Sequence, residues 1–208
     1  ALRSYLGSYD SLVNLYHGKV QVASSHLWDG DTGEYNVSYV RRLVPGVSTA
    51  IIHLTCRTQG LYVAEGNPKG INSWADLSRN DVSIINREKG AGSRVLLDEH
   101  LRLLGISKKQ VRGYDRESHS HLTVATAVSR GDADVAVGDM KAVQQVSGVE
   151  FIPLQKERYD LVVREEIIHS PKTEAMLEIL RSREFRDEFV SVAGYDTKDM
   201  GRIVARIE

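Results

Sequence analysis

The sequence predicts an α/β fold, and three observations carry the prediction. Short apolar runs alternate with helix-period patterns almost throughout the chain, the order that builds largely parallel sheets flanked by helices. A glycine-rich turn, Asn86-Arg87-Glu88-Lys89-Gly90-Ala91-Gly92-Ser93-Arg94, joins a strand pattern (Val82, Ile84, Ile85) to a helical one (Leu97, Leu101, Leu104). Finally, Gly18-Lys19-Val20-Gln21-Val22-Ala23 is echoed by Gly131-Asp132-Ala133-Asp134-Val135-Ala136, each a glycine closing a helix before a short apolar run. Reading back from those glycines, Leu12 and Leu15 align with Ala125 and Val128, and Gly7-Ser8 with Ser120-His121. Two helix–strand units of one build, far apart in sequence, suggest two lobes.

In chain order, apolar runs place strands over 2–6 and 19–24, with a helix over 9–17 between them and a second helix over 34–43. The runs at 49–55 and 60–65 read as two strands. Ser73-Trp74-Ala75-Asp76 has the spacing of a capping box and starts a helix over 73–78. A strand over 82–86, a helix over 92–104 and a strand over 111–114 follow, then a helix over 119–130, a strand over 133–137 and a helix over 139–146. Two further runs, 149–153 and 159–164, read as separate strands. Ser170-Pro171 sets a capping serine before a proline at the first helical position, opening a helix over 171–181. Ser182 caps a last helix over 183–192, in which Phe185 and Phe189 share a face. No low-complexity linker occurs, so any lobe boundary is crossed by structured strands, near Leu61–Asn72 and Phe151–Val163.

Length and composition bound the function. The chain has 208 residues, enough for one large domain or two small lobes. It is 41% hydrophobic and 26% charged with a net charge of −1, and its Lys and Arg are scattered, so no basic face marks a nucleic-acid surface. No apolar run reaches membrane-spanning length. The single cysteine, Cys56, excludes an internal disulfide; its place after Ala50-Ile51-Ile52-His53-Leu54-Thr55 suggests a buried, inert thiol.

The glycine-rich turn points to an anion site. A helix start leaves backbone N–H groups unpaired, and the dipole favours negative charge there. Ser93 adds a hydroxyl and Arg94 a charge, beside Gly90, Ala91 and Gly92. The loop matches neither dinucleotide nor P-loop signatures. Ser8, and Ser120 or His121, supply donors at two further helix starts, although a serine there also serves as a plain cap. Arg94 could instead hold Asp98, four residues along the helix. His26 follows the strand at 19–24. Arg57 and Arg87, at strand ends, could neutralise an anion or pair with Asp29 or Glu34. No metal is expected: His26, Asp29, His53, His119 and His121 lack metal-ligand spacing. Nor does a catalytic set emerge, since Ser24-Ser25-His26 lacks the nucleophile-elbow pattern and Asp132, Asp134 and Asp139 form no pair with defined roles.

These residues carry a resemblance. Gly7-Ser8, Gly18 to Ala23, His26-Leu27-Trp28-Asp29, Thr32-Gly33-Glu34-Tyr35-Asn36, Arg57-Thr58-Gln59-Gly60-Leu61 and Gly66-Asn67-Pro68-Lys69-Gly70 come first. Asn86 through Asp98, His121 to Val128, Gly131 to Gly138, Phe151-Ile152-Pro153-Leu154, Glu157-Arg158-Tyr159-Asp160 and Gly194-Tyr195-Asp196 follow in order. Together they resemble the periplasmic-binding-protein-like domain of bacterial and archaeal helix-turn-helix regulators and some molybdenum-cofactor proteins. The resemblance implies a two-lobed type II fold with two crossing strands and a ligand cleft. On it, residues 1–65 plus 160–208 form lobe I and 72–150 lobe II, with hinge crossings at 61–72 and 151–163. It differs in its start: the family's opening β-α unit is missing before Leu2–Ala23. Either the polypeptide is truncated or residues precede Ala1. The first lobe is then expected to present an apolar face around Leu6, Leu12 and Leu15 that recruits a partner.

The function the resemblance implies is a small-ligand sensor of a transcriptional regulator, with an oxyanion such as molybdate or tungstate as ligand, no other cofactor, and no catalysis. The ligand-binding residues expected are Ser8, His26, Arg57, Gly90, Ala91, Gly92, Ser93, Arg94, Ser120 and His121. The partners expected are the ligand and a second copy in a homodimer, without membrane or direct nucleic-acid contact, in the cytoplasm. Two other readings remain open at this point: an extracytoplasmic solute-binding receptor of an ABC transporter, and part of a molybdenum-cofactor (pterin) biosynthesis protein, for which Tyr35 or Tyr159 would supply an aromatic wall.

Overall fold

The computed structural model describes residues 6–191 and 195–208 and has the α/β class that the alternating pattern predicts. The element order is α1 (Ser8–Tyr16), β1 (Val22–Ser25), α2 (Val37–Leu43), β2 (Thr49–Ala64), β3 (Ile84–Arg87), α3 (Gly92–Leu103), β4 (Glu117–Ser118), α4 (His121–Ser129), β5 (Val135–Asp139), α5 (Met140–Val143), β6 (Val149–Arg164), α6 (Pro171–Arg181), α7 (Arg183–Val190) and β7 (Ile203–Ile207). Short 3₁₀ turns lie at Trp74–Ser78, Lys108–Gln110 and Glu165–Ile167. Most of the strand expected at 2–6, and Gly194, lie outside the described residues.

The echo seen in the sequence is an echo of helix ends. Gly18, at φ +69°, donates to Leu15 O at 3.1 Å, and Lys19 donates to Asn14 O at 3.0 Å. Gly131, at φ +75°, donates to Val128 O at 3.0 Å, and Asp132 to Ala127 O at 2.9 Å. Both are the paired closure that a left-handed residue permits after a helix, and each feeds a strand directly. Leu12, Leu15, Ala125 and Val128 all lie in the core.

Three expectations about elements need correction. The runs at 49–55 and 60–65 are one 16-residue strand, β2, and those at 149–153 and 159–164 are one 16-residue strand, β6. No strand forms at 111–114: Gly113 takes φ +83° and Tyr114 N–H turns back to Val111 O at 3.2 Å, which leaves a single bridge, Arg112 to Ser83, before pairing resumes at β4. The expected apolar face around Leu6, Leu12 and Leu15 is not open either. Leu12 and Leu15 are fully buried, and Leu6 alone of the three is exposed, at 41%.

The chain divides into two compact units, one of Ala1–Arg57 with Glu157–Glu208, the other of Thr58–Lys156; the division falls inside β2 and inside β6. In the first unit, β1 pairs antiparallel with β6 (Val22 opposite Val163 to Ser25 opposite Asp160), and β2 pairs antiparallel with β7. Ala50, Ile52 and Val163 from these strands pack with Ile168, Leu177, Leu180 and Met200. In the second unit, β4, β3 and β5 run parallel and β2 pairs antiparallel with β5. There Tyr62 and Ala136 pack under Val124, Ala125 and Val128 of α4. No helix among the described residues is long and apolar enough to cross a membrane.

Candidate functional site

In the second unit the carboxyl ends of three parallel strands open one edge, where α/β sheets collect ligands. From that edge α3 leaves β3 through the glycine-rich turn, α4 leaves β4, and α5 leaves β5. The turn works as its composition suggests: Gly90 takes φ +85°, Ala91 is the N-cap, and Gly92, Ser93 and Arg94 are the first three helical residues of the 12-residue α3. Ala91 O accepts from the N–H groups of Arg94 and Val95 at 3.0 Å each, which starts the helical ladder. The N–H groups of Gly92 and Ser93 meet no acceptor among the described residues. Ser93 is 1% exposed, and its buried Oγ has no hydrogen-bond partner. A buried hydroxyl without a partner is costly, and three donors are grouped here at the positive end of a helix.

Arg94 is committed elsewhere. It is 3% exposed, donates to Arg87 O at 3.0 Å, and stacks 4.1 Å over the Tyr114 ring. Asp98 and Glu117 lie 3.6 and 3.7 Å from its guanidinium, the first being the helix-face pair that the i, i+4 spacing allows. Arg87 makes a two-pronged pair with Glu88 at 2.8 Å for both bonds and also donates to His119 O at 3.2 Å, rather than reaching Asp29 or Glu34. Ser120 is the N-cap of α4: its Oγ accepts from Thr123 N–H at 3.0 Å and lies 2.6 Å from Thr123 Oγ1. His121, the first residue of α4, sets Nε2 3.8 Å from Asp139 Oδ2 at the end of β5. Asp139 itself caps α5 through Ala142 N–H at 3.3 Å.

The first unit brings together Ser8, His26 and Arg57. Ser8 starts α1, is 4% exposed, and its Oγ accepts from His26 N–H at 3.2 Å. His26 Nδ1 and Arg57 Nε both bond Glu157, one on each carboxylate oxygen. The Tyr159 ring stacks on His26 at 4.9 Å, and the Arg57 guanidinium lies 4.9 Å over it. Burial alone would push the Glu157 carboxyl up, but the Arg57 charge and the His26 imidazole overcome it and hold it well below the usual carboxylate range. Arg57 therefore pairs with Glu157, not with Asp29 or Glu34. Sequence reasoning named Glu157 as part of a motif only and Tyr159 also as a candidate aromatic wall, and gave neither a partner. The available signal was the charged run Glu157-Arg158-Tyr159-Asp160 inside an otherwise apolar strand pattern, since buried charge demands pairing.

A second buried network lies beside the first. Asp160 accepts from Asn36 Nδ2 and Arg158 Nε, both at 2.8 Å, and bonds His53 Nδ1 at 3.1 Å. His53 Nε2 lies 3.9 Å from Cys56 Sγ. The Asp160 bond, then that of Cys56, pushes His53 up to about 9. Cys56 is half-buried rather than buried. Among the described residues no group of three or more His, Cys, Asp and Glu could hold a metal ion.

Comparison with known proteins agrees with this architecture. An uncharacterized protein of Bacillus subtilis, YvgK, is 44% identical over 203 residues; the match covers 98% of this chain, which spans 65% of that protein's length. Among solved structures, a putative phosphate ABC transporter substrate-binding protein from Clostridium perfringens with bound phosphate superposes with a TM-score of 0.63 at 13% identity, covering 89% of this chain and 82% of that one. The regulatory domain of Synechocystis CcmR in complex with 2-PG superposes with a TM-score of 0.61 at 14% identity, over 83% of this chain and 77% of that one. These two similarities establish a shared fold. The description of a PBP superfamily domain matches residues 1–181. On that match the chain belongs to the PBP superfamily.

Proposed function

We propose that the chain binds a small oxyanion, of which molybdate and tungstate are the leading candidates, and serves as the sensing domain of a cytoplasmic transcriptional regulator that acts as a homodimer. The observation that carries the oxyanion is the start of α3. Ser93 Oγ is buried without a partner, and the adjacent Gly92 and Ser93 N–H groups have no acceptor among the described residues. Donors without acceptors are what an oxyanion requires, and a site built this way binds without catalysing. In this reading Arg94 braces the turn through Arg87, Tyr114, Asp98 and Glu117, while the Ser8, His26, Arg57 and Glu157 cluster rigidifies the first unit. The transporter protein with bound phosphate shows that a fold of this kind can hold an anion, which supports an anion here without choosing it.

A thermal-shift panel of molybdate, tungstate, sulfate, phosphate and pterins tests the reading, because a ligand that binds only the folded state raises the melting temperature by mass action. A concentration-dependent rise with at least one of these anions is expected. Ser93→Ala should weaken that anion's binding by about 1–2 kcal/mol, roughly five- to thirtyfold. A flat panel, or full affinity in the folded Ser93→Ala protein, would remove the oxyanion assignment. A rise with pterins instead would favour the cofactor-biosynthesis reading.

A further inference from the structure

The first unit holds a cationic pocket that the proposed function does not use. It has a volume of ≈ 270 Å³ and is lined by Arg181, Arg186, Lys198 and Arg202, with Asp199 as its one carboxylate. Arg181 is the last residue of α6, Arg186 lies in α7, and the other residues sit on the turn before β7.

Two of the four cations are fixed in place. Arg181 donates from Nε and Nη2 to Gly201 O, at 3.1 and 2.9 Å, and Arg186 donates from Nη2 to Met200 O at 3.0 Å. The turn that receives them is itself tied down: Gly201 N–H donates to His53 O, and His53 N–H to Arg202 O, each at 2.8 Å. Satisfying two turn carbonyls is a structural task, and it explains those three guanidinium bonds. It leaves most of the donors over. A guanidinium carries five N–H groups. Arg186 Nε is buried and has no hydrogen-bond partner. Lys198 is exposed, and Arg202 meets Asp199 only at 3.8 Å, with their side chains 72% and 53% exposed, a pair worth little in water. The result is an excess of positive charge around a concavity, preorganised on one side and free to close on the other.

From this arrangement we propose a second anion site in the first unit, taking a compact phosphate-type anion that carries two or more charges. Rigid arginine forks match the oxygens of such an anion. An extended phosphodiester does not fit as well. The outer surface of α7 carries exposed Glu184, Asp187 and Glu188 against one exposed cation, Arg183, which pairs with Asp187 at 3.4 Å; the net negative face repels a phosphate chain laid along the helix but leaves a compact ion in the pocket untouched.

Inorganic pyrophosphate is the probe, followed by calorimetry at low and at physiological salt. The wild-type chain is compared with Lys198→Ala/Arg202→Ala, which removes two exposed charges without breaking the turn, and with Ser93→Ala. Saturable binding is expected that weakens with salt, falls by about tenfold or more in the double variant, and is unchanged in Ser93→Ala. Equal melting temperatures of wild type and double variant show that the turn survives. The proposal is overturned by the absence of saturable binding at millimolar pyrophosphate. It is equally overturned by loss of binding in Ser93→Ala with retention in the double variant, or by tighter binding of a single-stranded oligonucleotide than of pyrophosphate.

Discussion

Glu157 has no access to water, and two neighbours decide its charge. With His26 on one oxygen and Arg57 on the other, the carboxylate is paired on both sides. Removing Arg57 leaves a buried charge with half its compensation, and breaking such pairs typically costs about 3–5 kcal/mol. Arg57→Met should therefore lower unfolding free energy by that order in urea titration, and Arg57→Met/Glu157→Gln should recover much of it. A double variant no more stable than the single one would mean that packing, not charge, is what Arg57 supplies. His53 makes a different prediction. Its folded value of about 9 is above the usual histidine range because Asp160, held by Asn36 and Arg158, and then Cys56 favour the charged ring. The stabilisation is thus fully present below about pH 6.5 and is lost as pH rises through about 9. Wild type should exceed His53→Gln by up to about 3 kcal/mol at pH 6, with the gap shrinking above pH 9; a gap constant with pH would contradict the charged imidazole. Neither network could be read from the sequence. Glu157 meets its partners 100 and 131 positions away, whereas Arg94 and Asp98, one helical turn apart, were visible as a pair.

Helix ends were the most legible elements, because their chemistry is local. Ser120, Ser170 and Ser182 each cap the helix they precede, and the glycines after α1 and α4 close theirs as the echo implied. Strand continuity was less so. Positions 56–59 and 154–158 fall between the separate strands expected, yet β2 and β6 run through them. At Gly60 an added Cβ would lie 2.1 Å from Ile152 O, so the two strands approach more closely than any side chain allows. Gly60→Ala must move the β6 backbone and should cost several kcal/mol, in the range of severe overpacking. Gly66→Ala, at φ +76° with open space around it, should cost only about 1–2 kcal/mol. Equal losses in the two variants, measured by chemical denaturation, would dismiss the close approach. Strand β7 escaped notice for another reason: its half-exposed alternation, Ile203 to Ile207, is short and interrupted by Arg206.

At the scale of the whole molecule, the order of motifs along the chain conveyed the superfamily better than any single motif did. The glycine-rich turn conveyed the donor-rich helix start, but not that Arg94 would be spent on bracing it. The molecule also divides in a way that bears on how it is made. Thr58–Lys156 is one uninterrupted stretch, whereas the other unit joins Ala1–Arg57 to Glu157–Glu208. A ribosome therefore releases the middle unit whole while the earlier residues still lack their second half. At roughly 5–20 residues per second, that wait lasts several seconds. When it begins, Ala50 and Ile52 have neither Val163 nor Leu177 to cover them. The nascent chain must carry a folded centre beside an unfinished, sticky beginning, and chaperone demand should be concentrated in that interval.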